Sequence, residues 1–139
     1  MRTAIAIFAT VFSLAALPAH ADNNVAITKA QTVAKAWLTL TDTGKYGLSW
    51  DTAAALLKAS ITKPDFEKAL RTARSPLGAL KSRTVKSTTF TRTLPGAPDG
   101  EYVVIQYTTQ FANKSSAIET ITPMHEKDGS WRVSGYYIK

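Results

Sequence analysis

Glu119 is the residue whose type and position best suit a chemical role. It lies in a predicted strand over residues 116–127, on the more apolar of the two faces. An unpaired carboxylate is costly to bury, so it would be protonated, paired with a cation, or placed at the mouth of a pocket. Two interpretations follow. Glu119 is a general acid, general base or ligand anchor in a concave pocket, or it forms a structural ion pair with an arginine such as Arg74 or Arg83.

Two turn signals place the strands in register. Residues 128–129 are Asp-Gly, a two-residue hairpin signal that sets Ile121 opposite Tyr136. Residues 113–115, taken as a three-residue turn, set Tyr107 opposite Ile121. Because side chains alternate along a strand, one face is predicted to collect Ile105, Tyr107, Thr109, Phe111, Glu119, Ile121, Tyr136 and Ile138. The opposite face is predicted to collect Tyr102, Val104, Gln106, Thr108, Gln110, Thr120, Thr122, Trp131 and Val133. A one-residue slip in either turn would move one strand's residues to the other face.

The candidate ligand-binding residues follow from this register. They are Glu119, Tyr107 and Tyr136 on the apolar face, with Arg74 and Arg83 as the nearby cations. No residue is assigned a catalytic role, because a single carboxylate without a second titratable group is weak ground for catalysis.

The sequence predicts neither a metal ion nor a cofactor. Cysteine is absent, and His125 is the one histidine left once the segment 1–21 is removed. It lies just before the turn at 128–129, where residues are usually solvated, and no carboxylates accompany it at ligand spacing. No nucleotide-binding loop and no catalytic motif is present.

The segment from Met1 to Ala21 predicts export. Arg2 gives the segment a short positive start, and an apolar run follows over 4–17. Pro18 then breaks any helix, and Ala19-His20-Ala21 supplies a small-x-small cleavage site. We therefore expect a signal peptide over 1–21, cut near Ala21, and a single domain over 22–139 in the periplasm or outside the cell. No second apolar stretch long enough to span a bilayer follows.

The domain divides into a helical half up to about residue 80 and a strand half beyond it. Helices are predicted over about 28–41, after Ser49 as N-cap, and from Thr62 as N-cap to the Ser-Pro at 75–76. Residues rich in threonine, valine, isoleucine and tyrosine predict strands near 83–94, 101–112, 116–127 and 130–138. The predicted fold is α+β, with three N-terminal helices packed on a four-stranded antiparallel sheet.

Charge is unevenly distributed along the chain. The formal net charge is +7, and no acidic residue occurs between Glu67 and Asp99. A basic field attracts anionic partners, and outside the cytoplasm these are lipid head groups, lipopolysaccharide phosphates, anionic glycans or an acidic protein rather than nucleic acid. The other interpretation is a solvated basic face without a specific partner. The basic residues of this stretch are Lys68, Arg71, Arg74, Lys81, Arg83, Lys86 and Arg92.

Four segments resemble a family of small exported bacterial domains, family 4019 of the domain-of-unknown-function series. They are RSPLGALKSR at 74–83, LPGAPDGEYVVIQYTTQF at 94–111, MHEKDGSW at 124–131 and WRVSGYYIK at 131–139. The resemblance implies a bacterial, exported single domain and implies no activity. By analogy of shape we expect an NTF2-like or cystatin-like fold, in which a curved sheet wraps helices.

Three classes of function remain open from the sequence. The first is a non-enzymatic domain that binds a small ligand or an anionic envelope component, with the basic stretch as its contact surface. The second is an NTF2-like hydrolase or isomerase that uses Glu119 as general acid or base. The third is a structural or protein-interaction module. The ligand, the partner and the oligomeric state are not specified by the sequence.

Overall fold

Within residues 19–139, four helices rather than the predicted three precede four strands. The computed structural model describes the backbone of residues 19–139 and the side chains of residues 22–139. Most of the predicted signal peptide, residues 1–18, lies outside the described residues. A short 3₁₀ turn, Ser75–Leu77, separates the two halves. The elements are α1 Ala19–Asp42, α2 Tyr46–Asp51, α3 Ala55–Ser60, α4 Lys63–Arg74, β1 Leu80–Thr91, β2 Tyr102–Phe111, β3 Lys114–His125 and β4 Trp131–Ile138.

Helix α1 is longer than the predicted 28–41 because it begins at Ala19. Its inward stripe repeats at three- and four-residue spacing, as an amphipathic helix requires. The helix ends at Asp42, and Gly44 adopts φ +74°, the left-handed state that glycine reaches without strain. Among the described helices, none is both long and apolar enough to cross a membrane. The buried residues of the stripe are Ala26, Ala30, Ala34, Trp37 and Leu38.

The prediction of a helix capped by Ser49 was wrong. Ser49 lies inside α2, fully buried, and its hydroxyl donates to the carbonyl of Tyr46 at 2.6 Å. The cause is tertiary, because the indole nitrogen of Trp37 donates to the Ser49 carbonyl at 2.8 Å and draws this turn onto α1. The prediction for α4 was confirmed: Thr62 is its N-cap, and the Thr62 hydroxyl accepts a bond from the Asp65 amide.

The strands form one open antiparallel sheet in the order β1-β2-β3-β4. The α+β class with four antiparallel strands is therefore confirmed. One face of the sheet packs on α1 and α3, α4 packs on α2, and the hydrophobic core lies between the sheet and these helices. Strands β1 and β4 are the two edges.

The predicted three-residue turn between β2 and β3 was wrong. Phe111 pairs with Lys114, so the turn has two residues, and an irregularity follows between Thr109 and Phe111. Tyr107 consequently lies opposite Glu119 rather than opposite Ile121. The slip amounts to two residues, and because side chains alternate with a period of two, every residue keeps its predicted face.

The predicted register between β3 and β4 was correct at one end only. Ile121 pairs with Tyr136 as predicted, but the connection is longer than two residues, since strand pairing stops at His125 and Trp131. A bulge between Thr122 and Pro123 offsets the difference. The bulge also moves Trp131 and Val133 from the predicted outer face to the core, where both are buried.

Candidate functional site

Glu119 lies at the centre of a buried polar cluster. Its side chain is 0 % exposed on the core face of β3. The Thr109 hydroxyl donates to Oε1 at 2.6 Å, and the Tyr136 hydroxyl donates to Oε2. Arg83 donates to both carboxylate oxygens, from Nε at 2.7 Å and from one terminal nitrogen at 3.2 Å. Four hydrogen bonds therefore satisfy a carboxylate that water cannot reach.

Arg83 joins two carboxylates. Besides Glu119 it binds Asp42, the last residue of α1, through its two terminal nitrogens at 2.8 and 2.9 Å. This fork-to-fork geometry is the strongest form of arginine–carboxylate pairing. The side chain of Arg83 is 13 % exposed, so the pair sits just beneath the surface.

Arg74 completes the cluster from α4. One terminal nitrogen donates to Asp42 at 2.7 Å, and the other donates to the Thr41 hydroxyl at 2.9 Å. The guanidinium lies 4.8 Å from the centre of the Phe111 ring, in a cation–π contact. Its Nε is buried without a hydrogen-bond partner among residues 22–139. We call Asp42, Arg74, Arg83, Thr109, Glu119 and Tyr136 the buried charge cluster.

The cluster shifts the pKa values of its members. Burial by itself would raise the pKa of Asp42, but the hydrogen bonds and charges of Arg83 and Arg74 outweigh it and hold that pKa below 3.8. Burial by itself would lower the pKa of Arg83, yet its bonds to the two carboxylates raise it. Burial and the nearby Glu119 charge raise the pKa of Tyr136. Two carboxylates and two guanidiniums leave the cluster without net charge.

The structure brings the five predicted site residues together. Arg74, Arg83, Glu119 and Tyr136 are members of the buried charge cluster. Tyr107 lies beside it, and burial is the main cause of its raised pKa. Sequence reasoning missed Asp42, which was taken only as the end of a helix. A signal was available, because a carboxylate at a helix C-terminus is unfavourable to the dipole unless cations neutralise it.

A groove opens beside the cluster, between α1 and β1. Its volume is about 610 Å³, and Asp42, Arg83 and Tyr107 form its floor. Leu38, Leu80 and Val85 supply apolar lining, and Val85 is 52 % exposed. Lys35 and Lys81 lie in its wall, and neither forms an ion pair with another residue of the described chain. Gln31, Thr39 and Ser82 complete the lining.

His125 is held at a separate place, at the end of β3. Its two ring nitrogens face the Glu101 carboxylate at 3.0 Å and the Gly129 carbonyl at 3.2 Å. The ring stacks on Trp131 with centres 5.1 Å apart. Within residues 22–139, no three carboxylates or imidazoles are grouped closely enough to hold a metal ion.

The family of proteins of unknown function called DUF4019 matches residues 33–136. The chain belongs to this family. No curated protein matches the chain. In this DUF4019 domain the matched range contains the whole buried charge cluster, from Asp42 to Tyr136, and every residue that lines the groove except Gln31.

Access from solvent determines what the buried charge cluster and the groove can do chemically. Glu119 has all its hydrogen-bonding capacity engaged within the protein and no exposed surface. The Tyr107 hydroxyl and the two lysines face the groove instead, and the described residues offer the Tyr107 hydroxyl no hydrogen-bond partner. The lining of the groove is therefore accessible from outside, whereas Glu119 is not.

Proposed function

We propose that the protein is an exported, non-enzymatic domain that binds a small anionic ligand with an apolar body in the α1–β1 groove. The observation that carries this proposal is a groove of about 610 Å³ that combines an apolar wall with the hydroxyl of Tyr107 and two lysines. These lysines, Lys35 and Lys81, have no ion-pair partner among residues 22–139. Ligand sites are typically concave, largely apolar, and furnished with a few polar groups that orient the ligand.

The charge of the ligand follows from the two lysines in the wall of the groove. Arg83 is neutralised by Asp42 and Glu119, so it contributes little net attraction. The uncompensated positive charge in the groove comes from Lys35 and Lys81. An anionic head group near these two lysines and an apolar segment against Leu38, Leu80 and Val85 would satisfy both kinds of lining.

Export rests on the sequence of the segment 1–21. The proposed cut between Ala21 and Asp22 falls near the start of α1, before Ala26, the first buried residue among those of α1 whose side chains the structure describes. Removal of the leader would therefore leave the core contacts of α1 in place. We extend the proposal to an NTF2-like or cystatin-like shape, which an antiparallel sheet with helices on one face supports.

The enzymatic alternative is less well supported by the geometry. A general acid or base must come within hydrogen-bond reach of its substrate. Glu119 is 0 % exposed and is enclosed by Arg83, Thr109 and Tyr136. A substrate could reach it only if the bond between Arg83 and Glu119 first opened.

The test is binding of dodecanoate, measured by isothermal titration calorimetry at low ionic strength. Dodecyltrimethylammonium is the matched ligand, because it carries the same alkyl chain with the opposite charge. We expect dodecanoate to bind the protein with at least about tenfold higher affinity. Lys35→Gln with Lys81→Gln should remove most of that preference.

Two controls make the result specific. Lys45→Gln with Lys127→Gln removes the same charge from exposed positions outside the groove and should leave dodecanoate affinity unchanged. Competition with phosphatidylglycerol vesicles separates a membrane source of the anion from a free one, since only a lipid head group bound in the groove displaces dodecanoate. Equal affinity for the two dodecyl compounds, or equal loss in both double variants, would contradict the proposal.

A further inference from the structure

The free edge of β4 borders a second groove, on the far side of the sheet from β1. Its volume is about 570 Å³, and it runs between the edge strand and the helices α3 and α4. Leu57, Phe66 and Leu70 supply its apolar wall. The part of β4 that lines it extends from Ser134 to Ile138, about 16 Å of strand.

Backbone groups along this edge have no partner among the described residues. The amides and carbonyls of Ile118 and Lys139 bond each other at 3.0 and 2.9 Å. In an antiparallel ladder, successive residue pairs alternate between hydrogen-bonded and non-hydrogen-bonded positions. Because Lys139 is in a hydrogen-bonded pair, Ile138 and Tyr136 occupy non-hydrogen-bonded positions. Their N–H and C=O groups therefore point away from β3, towards the groove, and no other described residue bonds them.

The residue before α3 covers the beginning of the free edge of β4. The amide of Ala54 donates to the Val133 carbonyl at 2.8 Å, which closes the edge before Ser134. Beyond that point the edge is open and lies beneath an apolar wall. An exposed strand edge of this kind is a template for the addition of another strand.

We propose that this groove binds an extended peptide segment of another protein, which adds as a fifth strand to β4. Backbone hydrogen bonds to Tyr136 and Ile138 would give the affinity. Alternate apolar side chains of the peptide would pack against Leu57, Phe66 and Leu70. This site is separate from the α1–β1 groove and does not depend on the anionic ligand proposed there.

The charge of the framing elements favours a peptide with acidic flanks. Lys68, Arg71 and Lys139 are exposed on α4 and at the end of β4. None of the three forms an ion pair with another residue of the described chain. Asp65 lies in the first turn of α4, and the Glu67 carboxylate lies against Gly47 of α2 rather than on Lys68 or Arg71.

A second copy of this chain is a poorer occupant. Pairing of β4 with its symmetry mate would place the helices of both copies on the same side of the joined sheet. The walls of the two grooves, formed by α3 and α4 of each copy, would then compete for the same space. A single extended strand meets no such obstacle.

The experiment uses a fluorescein-labelled seven-residue peptide with glutamate at both ends and valine at alternate positions. Fluorescence anisotropy measures its binding, and amide hydrogen exchange by nuclear magnetic resonance locates it. We expect the amides of Tyr136 and Ile138 to exchange fast in the free protein and to slow by at least about tenfold with peptide bound. The amide of Tyr137, which already bonds to β3, serves as the internal reference.

Substitutions in α4 and β4 test whether the peptide binds in this groove. Ala69→Trp fills the groove from α4 and should weaken peptide binding by at least about tenfold. Thr72→Trp adds the same side chain to an exposed position of α4 outside the groove and should leave binding unchanged. Ile138→Pro removes one outward N–H without touching the ladder to β3 and should also weaken binding.

Three results would overturn the proposal. One is no binding at peptide concentrations up to about 1 mM. Another is protection of amides on β1 instead of Tyr136 and Ile138. The third is protection of Tyr136 and Ile138 without peptide that grows with protein concentration, which would assign the edge to a second copy.

Discussion

Arg83 Nε donates to Glu119 Oε1 at 2.7 Å and so joins the edge strand β1 to β3 across the intervening strand β2. The two strands lie two inter-strand spacings apart, about 9.6 Å. The long arginine side chain spans this distance over Thr109, which bonds the same carboxylate. Since Arg83 also binds Asp42, one side chain connects the sheet edge, the sheet centre and the end of α1.

Replacement of Glu119 by glutamine should destabilise the fold. The change keeps the shape but leaves Arg83 and Tyr136 facing a neutral amide in a buried site. Removal of one partner of a buried ion pair costs about 3–5 kcal/mol in free energy of unfolding. Urea unfolding followed by tryptophan fluorescence measures it, with exposed Asp99→Asn as the control. Unchanged or increased stability of Glu119→Gln would indicate a strained ligand site instead.

Stability should fall at low pH because of Asp42. Its pKa in the folded state is held below 3.8, so the unfolded chain binds this proton more readily. The stabilisation is therefore complete well above pH 4 and is lost as pH falls through the folded pKa. Asp42→Asn should be less stable than the wild type at pH 6, and the difference should narrow below about pH 4. Urea unfolding between pH 6 and pH 2.5 measures it. A constant difference would show that Asp42 is not paired as described.

The Tyr136 hydroxyl should contribute to stability through Glu119. Tyr136→Phe removes this donor but retains the ring, whose centre lies 5.1 Å from that of Trp37. A hydrogen bond to a charged group contributes about 1.5–3 kcal/mol. The neighbouring Tyr137→Phe, at a half-exposed residue, is the matched control and should change the free energy of unfolding little. Equal effects of the two changes in thermal or urea unfolding would contradict this role.

The exposed basic residues should give salt-sensitive attraction to anionic surfaces. Arg74 and Arg83 cannot take part, because both are engaged in the buried charge cluster. The basic contact surface expected from the sequence included Arg74 and Arg83, and the structure removes both from it. Arg71, Lys81 and Lys86 remain exposed, and their joint replacement by glutamine should reduce retention on phosphatidylglycerol vesicles. The effect should weaken with salt, since screening shortens to about 8 Å at physiological ionic strength.

A second triple variant distinguishes the effect of these exposed residues from the effect of net charge alone. The triple change of Lys45, Lys114 and Lys127 to glutamine removes the same charge elsewhere on the molecule. Vesicle sedimentation should distinguish the two triple variants at low salt. If both lose retention equally, the attraction depends only on net charge.

Export should remove the segment from Met1 to Ala21. The apolar run over 4–17 and the Ala19-His20-Ala21 site predict a mature chain that begins at Asp22. Intact-mass measurement of protein recovered from the exported fraction tests this directly. A chain that retains Met1 in that fraction would refute the signal peptide.

Much of the fold could be read from local pattern. The strands, the Thr62 cap and the glycine at the end of α1 depend on neighbouring residues, so the sequence alone was sufficient for them. The face of Glu119 was also predictable, although the turn at 112–113 was misread. The resulting slip was an even number of residues, which preserves alternation. The face of Trp131 was not predictable, because the bulge at Thr122 and Pro123 reverses it.

The sequence by itself determined the class of the fold, the segment expected to be a leader, and the two alternative roles of Glu119. Only the tertiary structure decided which partners Glu119 takes. Arg83, Thr109 and Tyr136 come from three different strands, and Asp42 comes from a helix in the other half of the chain. Local patterns carry no information about such long-range contacts, because these depend on strand order, bulges and the packing of α1 on the sheet.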